Sequence, residues 1–327
     1  MKIILASDVQ FHQITTKLLE VQHYQPCMHH PQFQSYYQNY SGENFQIHSA
    51  IFEIGSQKAI LQITHDKSSR QLGYFGLPAL LIFSPETSLG DQYKMSKAIV
   101  KYIEKLQADT DAMSMKFEEF TPSKTIGKTI DYYLNHGAEL YCTPNSVIDL
   151  TQSSEILWSQ VRKRYKSLIN KGKSLLDLQI IDHTTVNKEL FSQFQALHLE
   201  VAGKKTRSDE TWKIQLQDIE QGHAFLVAGL FENKLVSANY YQQTSSTAYY
   251  GVGVSKRDEE HQNRSHVLMW SAMEYMQRIG LSYFDIGQSV FKKIGLFEPT
   301  EKELHIDTFK KGFGGSLYPR YVVKYIF

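Results

Sequence analysis

The sharpest patterning of apolar and polar positions lies in residues 247–287. Residues 247–255, TAYYGVGVS, alternate and are rich in aromatic and β-branched side chains, which predicts a strand. Leu268, Ala272, Tyr275, Met276 and Ile279 then recur on one helical stripe, with Ser265 as the expected N-cap and Gly280 as the stop. Tyr283, Phe284 and Ile286 follow as a short buried strand. Strand, helix and strand with short links make a βαβ unit, whose strands should run parallel. Ligands of open α/β sheets sit beyond the carboxyl ends of such strands. Residues 256–264, Ser265, Asp285 and Gly287 are therefore expected around one crevice.

Upstream, residues 45–54 and 58–64 form two strand-like runs around Gly55-Ser56, a hairpin signal. Residues 72–83 are apolar but interrupted by Pro78, which fits a strand or a loop. Residues 91–107 carry a helical stripe through Ile99, Val100, Ile103 and Leu106, and 113–120 return to strand. Proline and glycine punctuate residues 122–150, so the domains are expected to divide as 1–150 and 151–327. Beyond that boundary the pattern predicts one helix over 158–176 and further helices over 187–202 and 209–220. It predicts strands over 224–231 and 234–242, joined at Glu232-Asn233. Residues 303–310 and 317–327 read as antiparallel strands around a turn at 312–315.

Composition narrows the class. The 327 residues carry a net charge of +1, with 42% hydrophobic and 21% charged residues. That balance gives no bulk electrostatic case for a nucleic-acid coat or a membrane-surface protein. Cys27 and Cys142 stand too far apart for a disulfide framework or a zinc motif, and a reducing cytoplasmic compartment is expected. Four tempting motifs fail. Gly127-Lys128-Thr129 lacks the leading glycine of a P-loop, because Pro122 holds that position. His29-His30 has no third ligand at metal spacing, no Gly-x-Ser-x-Gly elbow occurs, and the Asn39-Tyr40-Ser41 sequon has no export signal beside it.

Three stretches carry a family resemblance: WSQVRKRYKSLINKGK (158–173), YYGVGVSKRD with SHVLMWSAMEYMQRIGLSYFDIG, and FKKGFGG (309–315). Together they resemble the FemAB-like branch of the GNAT acyltransferase superfamily, the peptidoglycan bridge-type aminoacyl and acyl transferases. Residues 1–145 resemble the degenerate first GNAT-like domain of such proteins. The resemblance implies an α/β chain of two tandem GNAT-like domains, each a mixed sheet flanked by helices, with a cleft between them. It implies amide formation on an amine-bearing cell-envelope precursor, with aminoacyl-tRNA or acyl-CoA as co-substrate and no tightly bound cofactor. Two alternatives stay open: an acyl-CoA- or acyl-carrier-dependent N-acyltransferase on a nucleotide-linked amino sugar, and a non-catalytic binding protein of the same fold.

The candidate site residues follow from these stretches. Gly312 and Gly314 allow close backbone approach, and by resemblance Lys310 should face the cleft to hold a phosphate or stabilise an oxyanion. Spacing alone is served equally by a glycine turn with a solvated lysine. Six basic residues and no acid lie between Arg162 and Lys173; Arg162, Tyr165 and Lys166 are the candidates there for a phosphate-bearing ligand. A solvated helix face is the plainer reading. The loop before the central helix lacks the glycines that cradle the pyrophosphate of CoA in GNAT enzymes, leaving Arg257, Arg264 and the helix start for that task. Asp285 is a candidate to orient or deprotonate an attacking amine, or a carboxylate bonded to backbone at a strand end. Arg207 is a candidate substrate contact.

Overall fold

The computed structural model describes residues 1–120, 125–256, 264–292 and 298–327. They form two compact units, residues 1–144 with 290–299 and 318–327, and residues 145–289 with 300–317. The partition thus differs from the expected division at residue 150, because two short strands pair with sheets distant in sequence.

The first unit contains β1 (Lys2–Leu5), α1 (Gln10–Glu20), α2 (Gln34–Ser41), β2 (Phe45–Ile47), β3 (Ala50–Ile54), β4 (Gln57–Gln62), β5 (Thr64–Asp66), β6 (Gln71–Gly73), β7 (Ala79–Phe83), α3 (Leu89–Thr110), β8 (Ser114–Phe120), α4 (Lys128–Asn135) and β9 (Glu139–Cys142). The expected hairpin turns on Gly55 at φ +60° as β3–β4, but the runs 45–54 and 58–64 each divide in two, with β2 and β5 forming a second antiparallel pair. The run broken by Pro78 resolves into two strands, β6 and β7. Its main sheet runs β1-β3-β4-β7-β8-β6-β5-β2. Helix α3 starts where Ser88 accepts from the Asp91 N–H, and it buries Met95, Ile99, Ile103 and Leu106 on one sheet face. α1 covers the other face through Phe11, Leu18 and Leu19.

The second unit holds β10 (Asn145–Asp149), α5 (Ser154–Gln160), α6 (Lys163–Leu175), β11 (Asp177–Ile181), α7 (Lys188–Ala202), α8 (Asp209–Glu220), β12 (Ala224–Phe231), β13 (Lys234–Gln243), β14 (Thr247–Ser255), α9 (Arg264–Arg278), β15 (Tyr283–Gln288), α10 (Glu301–Lys311) and β16 (Ser316–Tyr318). Its sheet runs β11-β12-β13-β14-β15-β10-β16. The expected βαβ unit is present: β14 and β15 pair in parallel and α9 links them. Gly280, at φ +82°, ends α9, and the Leu281 N–H reaches the Met276 carbonyl. α6 and α9 cover one face of the sheet with Ile169, Val267, Leu268 and Met276. α7 and α8 cover the other with Phe191, Phe194, Trp212 and Ile219. The last strand, β17 (Tyr321–Ile326), pairs antiparallel with β8 and β9.

Three expectations are corrected. Residues 303–310 are helical, not a strand: Thr300 and Glu303 form a capping box that starts α10. The helix expected over 158–176 is two helices, because Arg162 is extended at φ −51°, ψ 133° and gives its N–H to the Gly312 carbonyl at 2.9 Å. Ser265 lies within α9 and not at its cap; its hydroxyl pairs with the Ser255 hydroxyl at 2.8 Å.

One buried carboxyl has a consequence for stability. Asp218 of α8 is 4% exposed and accepts a hydrogen bond from the Tyr240 hydroxyl at 3.2 Å. Burial pushes its pKa from 3.8 up to about 7, so the folded chain keeps a proton that the unfolded chain releases. Stability is therefore greatest below pH 4 as far as this group is concerned. It declines as pH rises toward 7 and is level above that, a loss on the order of 4 kcal/mol at 1.36 kcal/mol per pKa unit. Asp218→Asn should remove this component. Urea unfolding at pH 5 and pH 8 should show the variant gaining on the native chain at the higher pH; an unchanged gap would exclude the assignment.

Candidate functional site

The site begins where β14 and β15 part. They pair from Thr247↔Tyr283 to Tyr249↔Asp285 and no further, although β14 continues to Ser255 and β15 to Gln288. Two local features accompany the parting. Gly251 is an unpaired bulge residue, since Tyr240 pairs with Val252 and Tyr241 with Tyr250. On β15, the Gly287 N–H turns back to the Asp285 carboxylate at 2.7 Å, and Gly287 sits at φ +94°. A side chain there would be strained, and its Cβ would lie 3.0 Å from the Lys310 Nζ.

Lys310 thus enters from the last turn of α10 and places its ammonium against the open end of the parted strands. The same Cβ point on Gly287 lies 3.6 Å from the Tyr249 hydroxyl, and the Lys310 Nζ is 6.0 Å from the Tyr250 ring centroid. Burial lowers the Lys310 pKa, while the carboxylates of Asp285 and Asp307 pull it back up. Asp285 is 4% exposed and also accepts from the Asn145 amide at 2.8 Å. Its carboxylate is therefore both bonded to backbone at a strand end and an electrostatic partner of the lysine. Burial raises the Tyr250 phenol to about 12.

The glycine turn joins Lys310 to the cationic helix. Gly312 packs so closely on Tyr165 that a Cβ would lie 2.0 Å from the ring, and a Cβ on Gly314, at φ +93°, would lie 2.9 Å from Gln160 Cβ. Tyr165 belongs to an aromatic cluster with His266, Phe309 and Phe313, at centroid separations of 4.3, 6.1 and 5.3 Å. The Arg162 guanidinium lies over the Tyr165 ring at 5.1 Å. The structure therefore brings Lys310, Asp285, Gly312, Gly314, Tyr165 and Arg162 into one connected arrangement.

The remaining candidates lie differently. The Lys166 ammonium gives a hydrogen bond to the Ser159 carbonyl at 3.3 Å and sits 5.7 Å from the Trp158 ring. Lys173 pairs with Glu274 at 2.8 Å. Arg207 reaches His198 Nε2 at 3.2 Å and covers Trp212 at 5.5 Å, which ties it to α7 and α8. Arg264 is buried at the start of α9, and its guanidinium approaches the Lys256 carbonyl at 3.5 Å. Arg257 lies outside the described residues. A groove of about 370 Å³ between α7 and the β12–β13 turn is lined by Gln193, Glu200, Lys234 and Lys256, and by none of the candidate residues. Among the described residues no cluster of three His, Cys, Asp or Glu could hold a metal, and no helix is long and apolar enough to cross a membrane.

Asn145, Tyr249, Tyr250 and Asp307 were not singled out by pattern or motif. The available signal was Tyr249-Tyr250-Gly251 followed by Gly253 in a strand, where glycine marks a bulge or a bare backbone surface.

No family model and no curated protein sequence matches the chain. Solved structures do. FemX superposes with a TM-score of 0.67 at 12% identity, over 100% of this chain and 98% of FemX. L-PGS from Bacillus licheniformis gives 0.60 at 10% identity, over 97% and 91%. A tandem GNAT protein from the clavulanic acid biosynthesis pathway gives 0.57 at 12% identity, over 99% and 98%. The chain has the tandem GNAT fold. The fold expected from the FemAB-like stretches is thus the fold observed, and the parting of β14 and β15 is the feature of this tandem GNAT chain around which its candidate residues gather.

The Gly312–Tyr165 contact can be tested by coupling. Gly312→Ala should cost about 1–3 kcal/mol, the usual penalty of overpacking. In a Tyr165→Leu background the same change should cost less than half as much. Equal costs in both backgrounds, measured by urea unfolding, would show that the two residues do not meet.

Proposed function

We propose that this chain is an acyltransferase that moves an acyl or aminoacyl group from an activated ester or thioester to the amine of a cell-envelope precursor in the cytoplasm. The observation that carries the reading is the Lys310 side chain, half-buried against the parted strands and favoured electrostatically by the carboxylates of Asp285 and Asp307. The FemAB-like stretches and the fold shared with FemX support the same reaction class. Cys27 and Cys142 are thiols outside any disulfide, which suits a reducing compartment.

Chemically, the neutral amine attacks the donor carbonyl carbon. A C–N bond forms, the C–O or C–S bond to the carrier breaks, and the amine proton passes to the departing oxygen or sulfur. Negative charge builds on the carbonyl oxygen as the tetrahedral intermediate forms. A half-buried, oriented ammonium beside that oxygen is worth more than one in water, because it is less screened and needs less reorganisation. Asp285, fixed by Asn145 and the Gly287 N–H, is suited to orient the attacking amine and to accept its proton. Arg162, Tyr165 and the glycine turn would meet the phosphates of a tRNA or CoA carrier. The acceptor would be a peptide stem or an amino sugar, with no cofactor beyond the donor.

The test is transfer from aminoacyl-tRNA and from acyl-CoA to a nucleotide-linked amino sugar or peptide precursor. Lys310→Ala should lower kcat by roughly 10²–10³-fold, the loss typical of one oxyanion donor. Lys310→Arg should retain part of the activity. Full activity in a folded Lys310→Ala chain would remove the lysine from the chemistry. If the native chain transfers nothing and Lys310→Ala leaves its biological effect intact, a non-catalytic binding protein is the better description.

A further inference from the structure

On the α9 face of the sheet, beyond Tyr250 from the lysine, lies an amide that core packing satisfies on one side only. Asn239 of β13 is 0% exposed. Its Nδ2 gives a hydrogen bond to the Tyr241 hydroxyl at 3.1 Å, and that hydroxyl directs its own proton to the Met269 sulfur at 3.7 Å. With Nδ2 on the hydroxyl, Oδ1 is the atom left over. Among the described residues Asn239 Oδ1 has no hydrogen-bond partner. A buried acceptor left unmet costs about 1–3 kcal/mol, which the fold has no reason to bear unless something supplies a donor.

The surroundings show where that donor comes from. Asn239 pairs with Gly253, and the space its missing side chain leaves is taken by the Tyr250 hydroxyl: a Cβ there would sit 1.9 Å from that hydroxyl and 2.8 Å from Asn239 Oδ1. Gly251 and Gly253 are both exposed, so β14 offers bare backbone on the stretch where β15 has left it. Tyr250 spans the distance between Gly253 and the lysine, with its ring centroid 6.0 Å from the Lys310 Nζ and its hydroxyl seated on Gly253 near Asn239 Oδ1.

We infer that Asn239 and Tyr250, whose polar atoms meet over the bare backbone of Gly253, form a specificity station that reads an N–H group on the acyl donor. The chemistry is a hydrogen-bond donor held by one buried amide oxygen, with the phenol as second partner. Two carriers present such a group close to their reactive carbonyl: the α-ammonium of an aminoacyl ester and the amide of a pantetheine thioester. A plain hydrocarbon acyl ester presents none and leaves Asn239 Oδ1 unmet. The inference rests on the acyltransferase reading and deepens it, since it sets which donors the Lys310 site accepts.

The experiment is calorimetric binding of three stable probes: 3′-amide-linked alanyl-adenosine, its 3′-amide-linked propionyl counterpart, which shares the linkage N–H and lacks only the α-ammonium, and coenzyme A. The native chain should bind the alanyl probe or coenzyme A at least about 10-fold more tightly than the propionyl probe. Asn239→Leu, of similar size, should erase the preference, and Tyr250→Phe should reduce it. Asn239→Asp separates the carriers: it should strengthen an ammonium ligand and leave coenzyme A no better bound. Equal binding of alanyl and propionyl probes with no coenzyme A binding, or a preference that survives Asn239→Leu, would overturn the station and leave the role of Lys310 standing. Binding of none of the three probes would sink the acyl-donor reading of the whole site.

Discussion

The parting of β14 from β15 is the constraint on which the second unit depends. Parallel strands that run side by side satisfy each other's backbone, and separating them exposes N–H and C=O groups on both edges. Here the separation is built in from both sides. The bulge at Gly251 bends one strand, and the hydrogen bond from the Gly287 N–H to its own strand's Asp285 turns the other away. The opening is then held by a charged side chain. Lys310 reaches it from α10, and the left-handed conformation of Gly287 leaves room for the ammonium.

An ammonium in such a place is costly unless charge and geometry compensate it. Asp285 and Asp307 supply the charge, and Asn145 keeps Asp285 from relaxing toward solvent. The aromatic cluster around Tyr165 supplies the geometry, because Gly312 fits against that ring only as glycine. The break between α5 and α6 belongs to the same device. Arg162 leaves helical geometry in order to bond the Gly312 carbonyl, which brings a guanidinium to the turn. A preorganised cation with little freedom to reorganise is what charge stabilisation in acyl transfer asks of a protein.

Much of this was legible in the chain. α7, α8 and the β14–α9–β15 unit follow from local period and caps, and the structure places them within a residue or two of expectation; the β3–β4 hairpin turns where expected, though each of its two runs is split into a pair of strands. What failed was set by distant partners or by a local signal outweighed by composition. β10 and β17 pair with strands far away in sequence, which no local pattern encodes. α10 carries only a weak apolar stripe, and its Thr300–Glu303 capping box was the decisive sign. Lys310 and Asp285 were legible through the family stretches. Asn145, Tyr249 and Asn239 were not, because an asparagine or a tyrosine in a strand reads as ordinary until its neighbours across the sheet are known.

The central claim is that the Lys310 ammonium is partly desolvated at the opening and feels the charge of Asp285. The most direct measurement is the titration of Lys310 by NMR in ¹⁵N-lysine-labelled protein, assigned with Lys310→Arg. The expected result is a pKa below the ordinary lysine value of about 10.4, lowered further by Asp285→Asn because a favourable charge has gone. A Lys310 that titrates like a solvent lysine, and does not respond to Asp285→Asn, would contradict the account.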